Sequence, residues 1–154
     1  MTRLEVGAKA PAFALTDHNG AMVRLKDFSG SRIVFYFYPK DDTPGCTKEA
    51  CQFNDELSRF TRLGVTVLGV SPDPATPHLA FRSKYGLTFA LLSDPQKQVM
   101  AAYGAYGEKM MYGKKVLGVI RSTFVIGPTG IIEGAWYSVR ADGHAAKVLA
   151  SLKS

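Results

Sequence analysis

Cysteine is scarce in this chain: 154 residues contain two, Cys46 and Cys51. A secreted domain stapled by disulfides would carry more. Long apolar stretches are missing too. The longest fully apolar run, Ile33-Val-Phe-Tyr-Phe-Tyr38, is far short of the roughly 20 residues that span a bilayer. Met1 to Phe13 show no apolar signal-peptide core. The expected setting is therefore the cytoplasm with no membrane partner, where two neighbouring cysteines are more often redox-active than structural. No basic stripe interleaves with aromatics. The net charge is +6, but Lys and Arg are scattered singly and the densest pairing is Lys114-Lys115. That argues against nucleic acid and suits solubility and the docking of an acidic protein. His18, His78 and His144 are widely separated and read as surface or turn residues. A zinc site needs about four ligands, so no metal is expected. Asp41-Asp42 read as solvated loop charges rather than a metal pair. The glycines between Gly104 and Gly118 form no phosphate-binding fingerprint, and no cofactor is expected.

What is present fits one domain spanning 1–154. Hydrophobic residues make up 46%, enough for a single core. Phe13 to Leu15 and Met22 to Leu25 flank Asp17-His-Asn-Gly20 and predict a β-hairpin. Arg32 to Tyr38 lacks polar alternation, as in a central strand covered on both faces. A helix is predicted from Pro44 to Leu63, with Ala50, Phe53, Leu57 and Phe60 at helical spacing and Gly64 closing it. A strand over 65–70, a helix over 75–85, a short strand over 87–92 and a short helix over 95–103 follow. Residues 104–118 read as a flexible loop, with Tyr103 just before it and Tyr106, Met110, Met111 and Tyr112 bordering the pocket. A hairpin over 119–126 and 131–137 and a helix over 142–152 complete the chain. Strands alternating with helices, then an antiparallel pair, give an α/β fold with a mixed sheet flanked by helices. A thioredoxin-like arrangement fits this order, although periodicity alone does not select it.

The decisive segment is Pro39-Lys-Asp-Asp-Thr43-Pro-Gly-Cys46-Thr-Lys-Glu-Ala-Cys51, which follows a buried strand and opens a helix. Thr43 is a good N-cap and Pro44 suits the first helical position. Cys46 then falls among free backbone N–H groups at the positive end of the helix dipole, which favours the thiolate. It also lies on the apolar stripe, so the sulfur belongs near the core. The bland alternative is a small buried thiol filling space. Cys51, five residues on, would lie roughly 8 to 9 Å away between Cα atoms in an intact helix, too far for a disulfide. The first turn must unwind for the pair to bond, and helix ends fray readily. A redox sequence follows: attack by Cys46, a sulfenic acid, unwinding, and condensation with Cys51. The competing reading leaves Cys51 incidental beside Asn54, Asp55 and Ser58.

These residues resemble the peroxiredoxins, within them the bacterioferritin-comigratory or peroxiredoxin Q subgroup. Pro39, Thr43 and Cys46 match Pro-x-x-x-Thr-x-x-Cys, and Phe35 to Cys51 is similar throughout. So are Leu68-Gly-Val-Ser71, Leu91-Leu-Ser-Asp94, Gly107-Glu-Lys109 and Arg121-Ser-Thr-Phe-Val-Ile126. The resemblance covers nearly the whole chain. It implies a thioredoxin-like fold and a thiol peroxidase for hydrogen peroxide and organic hydroperoxides. In it Cys46 attacks the peroxide, Cys51 resolves the product, and thioredoxin or glutaredoxin restores the thiols. It further implies that the Thr43 hydroxyl bonds peroxide and thiolate, Pro39 shields the site and Arg121 supplies a cationic donor. Thr43, Gly45, Cys46 and Arg121 are the implied peroxide-binding set. Arg121 lies in an apolar stretch and needs a partner if buried, for which Glu49 is the candidate, either as a structural ion pair or to orient the arginine. No cysteine lies near the C-terminus, so a typical intersubunit disulfide is excluded; the resemblance to the subgroup implies a monomer or weak dimer. Absence of a Gly-Gly-Leu-Gly segment implies resistance to overoxidation.

Other readings compete. A thioredoxin-type reductase commonly has Cys-x-x-Cys, whereas four residues separate the cysteines here. The alternative from another class is a non-enzymatic peroxide sensor relaying oxidation to a partner; turnover alone separates it from an enzyme.

Overall fold

The structure is a computed structural model that describes residues 3–152. Its centre is β3 (Arg32–Phe37). Val34, Tyr36 and Tyr38 enter one core cluster, while Ile33, Phe35 and Phe37 enter the other. From Ile33 to Tyr38 no residue is more than 1% exposed. The strand period of two thus explains the uninterrupted apolar run: both faces are covered.

Around β3 a seven-stranded sheet forms in the order β2-β1-β5-β4-β3-β8-β9. The strands are β1 (Ala14–Asp17), β2 (Met22–Arg24), β4 (Val65–Ser71), β5 (Ala90–Ser93), β8 (Ser122–Ile126) and β9 (Ile132–Trp136). β3, β4 and β5 run parallel, while β1 and β8 pair antiparallel with β5 and β3. The helices are α1 (Pro44–Asp55), α2 (Leu57–Arg62), α3 (Ala75–Tyr85), α4 (Gln98–Ala102) and α5 (His144–Ser151). The mixed sheet flanked by helices and the N-terminal hairpin agree with the sequence reading. No helix among the described residues is long and apolar enough to cross a membrane.

Three departures are informative. The helix predicted over 44–63 is broken at Glu56. Just before the break, the Asn54 side chain donates to the Gly86 carbonyl and accepts from the Thr88 amide and hydroxyl, tying this end of α1 to the segment after α3. The strand predicted over 87–92 begins only at Ala90, because Gly86 closes α3 in the left-handed region (φ 65°) and the Leu87 amide still bonds back to Arg82. The supposed loop 104–118 is a second hairpin, β6 (Tyr106–Met111) and β7 (Lys114–Val119), forming its own two-stranded sheet. Tyr112 and Gly113 turn it, with φ of 53° and 77°, the positive pair that tight hairpins require.

Candidate active site

β3 delivers the chain through Pro39 into the loop that precedes α1. Thr43 occupies the N-cap position with an extended backbone (φ −97°, ψ 156°), and Pro44 starts the helix. The capping expectation holds for position but not for the side chain. The Thr43 hydroxyl donates to the Lys40 carbonyl at 2.9 Å and caps no helical amide. Its lone pairs thereby remain available as acceptors. Pro39 is half-buried at the base of this loop.

Cys46 lies in the first turn of α1 and is 2% exposed. It packs in the cluster with Tyr36, Ala50 and Phe53, as its place on the apolar stripe demands. Arg121 comes from the connection just ahead of β8, not from within a strand. Its Nη2 donates to the Cys46 sulfur at 3.4 Å and its Nη1 to Glu49 Oε1 at 2.6 Å. Arg121 therefore pairs with Glu49 and faces the sulfur at the same time. Gly45 makes this approach feasible, since a Cβ there would stand 3.2 Å from Arg121 Nη2.

Glu49 is fully buried, and its Oε2 has no partner in the structure. Burial pushes its carboxyl up to about 7, against the pull of the Arg121 guanidinium. Burial opposes the charge of Arg121, but Glu49 and Cys46 together hold its pKa above the usual value. The guanidinium is thus a permanent cation beside the sulfur. Together with the N-terminus of α1 it places positive charge beside the Cys46 sulfur.

Cys51 is a free thiol, half-buried on α1, with no disulfide to Cys46. Burial first, and Asp55 second, raise its pKa. It packs against the same core cluster as Cys46.

Several sequence expectations need correction. Asp41 is buried, and so are His18, His78 and His144; of these, His78 bonds Asp41 and His144 bonds the Thr123 hydroxyl. Tyr103 packs with Phe35, Phe37 and Phe124 in the cluster opposite Cys46. Met110, Met111 and Tyr112 project outward, at 64%, 45% and 98% exposure, while Tyr106 packs on the opposite cluster as well. Lys109, on β6 of the same hairpin, is half-buried. Its ammonium donates to the Val119 carbonyl at 2.7 Å. Burial and the nearby Arg121 lower its pKa, while Cys46 acts in the opposite direction. Among the described residues no group of three or more His, Cys, Asp or Glu side chains is placed to hold a metal.

The AhpC/TSA family profile matches residues 6–135. A Mycobacterium tuberculosis protein bearing a peroxiredoxin name is 56% identical over 147 residues, covering 96% of this chain and 94% of that protein. Peroxiredoxin Bcp of Bacillus subtilis is 41% identical over 150 residues, covering 97% and 96%. Among solved structures, a mutant of peroxiredoxin Q from Xylella fastidiosa superimposes with a TM-score of 0.92 at 39% identity, over 99% of this chain and 98% of the other. The bacterioferritin comigratory protein of Xanthomonas campestris, described for its alkyl peroxide reduction activity, gives 0.86 at 43% identity, over 92% and 90%.

Proposed function

Since the chain belongs to the AhpC/TSA family and, within it, to the bacterioferritin-comigratory or peroxiredoxin Q group, we propose that it is a thiol peroxidase acting on hydrogen peroxide and organic hydroperoxides through Cys46. The observation that carries this reading is a buried cysteine in the first turn of a helix with a guanidinium nitrogen 3.4 Å from its sulfur.

The Cys46 thiolate attacks one peroxide oxygen. The S–O bond forms as the O–O bond breaks, sulfur is oxidised to a sulfenic acid, and the second oxygen departs as alkoxide or hydroxide and takes up a proton. Arg121 and the α1 N-terminus stabilise the charge that moves onto that oxygen. The Thr43 hydroxyl, Gly45 and Arg121 bind the peroxide, and Pro39 limits water at the sulfur. Cys51 then attacks the sulfenic sulfur, expelling water and forming a Cys46–Cys51 disulfide. In intact α1 the pair is too far apart for this, so the first turn unwinds before the bond forms. A dithiol protein of the thioredoxin or glutaredoxin class reduces the disulfide and is itself oxidised. The protein acts in the cytoplasm as a monomer or weak dimer and needs no cofactor.

A coupled assay with thioredoxin, its reductase and NADPH tests the reading. Sustained NADPH loss on adding peroxide is expected. One stoichiometric oxidation without turnover would instead indicate a sensor. Cys46→Ser should not react with peroxide, whereas Cys51→Ser should react once and recycle poorly.

A further inference from the structure

Asp41 and His78 lie outside the chemistry described above, yet they form a buried, hydrogen-bonded cluster at the loop that leads into α1. His78, on α3, is completely buried, and the Asp41 side chain is 4% exposed. His78 Nδ1 stands 2.6 Å from Asp41 Oδ2, and Nε2 stands 2.9 Å from the Leu92 carbonyl. Both ring nitrogens therefore have a partner. Asp41 Oδ1 accepts from the Tyr38 hydroxyl at 2.5 Å, and the Asp41 amide donates to Asp73 Oδ2 at 2.7 Å. The next residue is tied to the same helix: Asp42 accepts from Lys84 at 2.9 Å and from the Tyr85 hydroxyl at 2.7 Å. Two consecutive aspartates therefore anchor the loop between β3 and α1 on α3. The Asp41 anchor is buried and the Asp42 anchor exposed. Two residues beyond Asp41, Thr43 closes the loop on the Lys40 carbonyl.

We propose that His78 is a positioning residue for the peroxide-binding loop: through Asp41 it holds residues 39–43 in place and sets the near end of the segment that unwinds. Its effect on catalysis rests on the peroxidase reading above. The fixed loop keeps Thr43 and the α1 tip arranged around Cys46, which favours attack on peroxide. The same anchor opposes unwinding, which disulfide formation needs. Loss of the anchor should therefore act differently on the two steps, unlike a general loss of stability.

The test compares the unmodified protein with His78→Gln, Asp41→Ala and Asp41→Asn. The last keeps every bond in a neutral form. An asparagine oxygen accepts from Tyr38 and its NH2 donates to Nδ1, while Nε2–H still donates to Leu92. In amide hydrogen exchange, residues 40–47 should exchange about tenfold faster in His78→Gln and Asp41→Ala, with β3 and β4 unchanged, and near the original rate in Asp41→Asn. In single-turnover oxidation, Cys46 oxidation should slow about tenfold in the first two variants without slower disulfide formation. Unchanged exchange at 40–47, acceleration spread evenly over the sheet, both steps slowing in parallel with the melting temperature, or Asp41→Asn behaving like Asp41→Ala would each overturn the assignment. If the unmodified protein consumed no peroxide, the peroxidase reading would fail, and the exchange comparison would still decide the positioning role. Should one disruptive variant not fold, the other carries the comparison.

Discussion

Arg121 stands between Cys46 and Glu49, with one guanidinium nitrogen on the sulfur and the other on the carboxylate. A planar fork reaches both; a single ammonium does not. Arg121→Lys should therefore slow the oxidation of Cys46 by peroxide about 100-fold despite keeping the charge. Stopped-flow thiol loss measures it, and a rate within threefold of the original would contradict this geometry.

Gly45 has no positive φ that calls for glycine; what it supplies is space, its missing Cβ lying 3.2 Å from Arg121 Nη2. Gly45→Ala should displace the guanidinium by a few tenths of an ångström and slow peroxide reduction about tenfold. Because alanine is the better helix former by roughly 0.5–1 kcal/mol, the melting temperature should not fall. Activity and stability would then separate, and a joint loss of both would contradict the account.

Glu49 gives a pH signature. Its carboxyl is pushed up by burial from 4.5 to about 7 in the folded protein. Between these values the folded state holds a proton that the unfolded chain has released. The corresponding stability is full below the lower value and is lost as pH rises through the upper one. Glu49→Gln should remove this fall, so the melting temperatures of variant and original should diverge between pH 4.5 and 7 in the variant's favour. Parallel curves across that range would refute it.

Cys51 is held toward the neutral thiol by burial and by Asp55. Disulfide formation should therefore speed up as pH rises above the ordinary thiol range, and Asp55→Asn should shift that rise to lower pH. Quenched-flow with mass detection reads the step directly, and a flat profile would tell against Cys51 as the resolving thiol.

Tyr112 turns the β6–β7 hairpin at φ 53° and is 98% exposed, a conformation that disfavours a bulky side chain. Tyr112→Asn creates the Asn-Gly pair preferred in such turns and should stabilise the protein by about 0.5–1 kcal/mol. Denaturant unfolding checks it; destabilisation would contradict the strain argument.

The parts legible in the sequence were those written locally. Ile33 to Tyr38 announced a strand buried on both faces, and Thr43-Pro-Gly-Cys46 announced a sulfur at a helix tip, because caps and periodicity act within a few residues. Family resemblance added Arg121, whose partner Glu49 is 72 positions away. Asp41 looked solvated because His78 lies 37 positions along the chain, a distance at which no periodicity connects two residues. The hairpin at 106–119 looked like a loop because Gly107, Gly113 and Gly118 interrupt it and its apolar residues do not mark a buried face: Met110, Met111 and Leu117 are exposed. Gly107 and Gly118 are in fact cross-strand partners, and the Gly118 surface is covered by the stem of Lys109.

The break at Glu56 divides what could have been one long rod into two short ones. If the first turn of α1 melts during turnover, the melt meets a natural stop there, with Phe60 of α2 still lodged in the core. Under the proposed unwinding, loss of the working end leaves that anchor in place, much as a firebreak confines a burn.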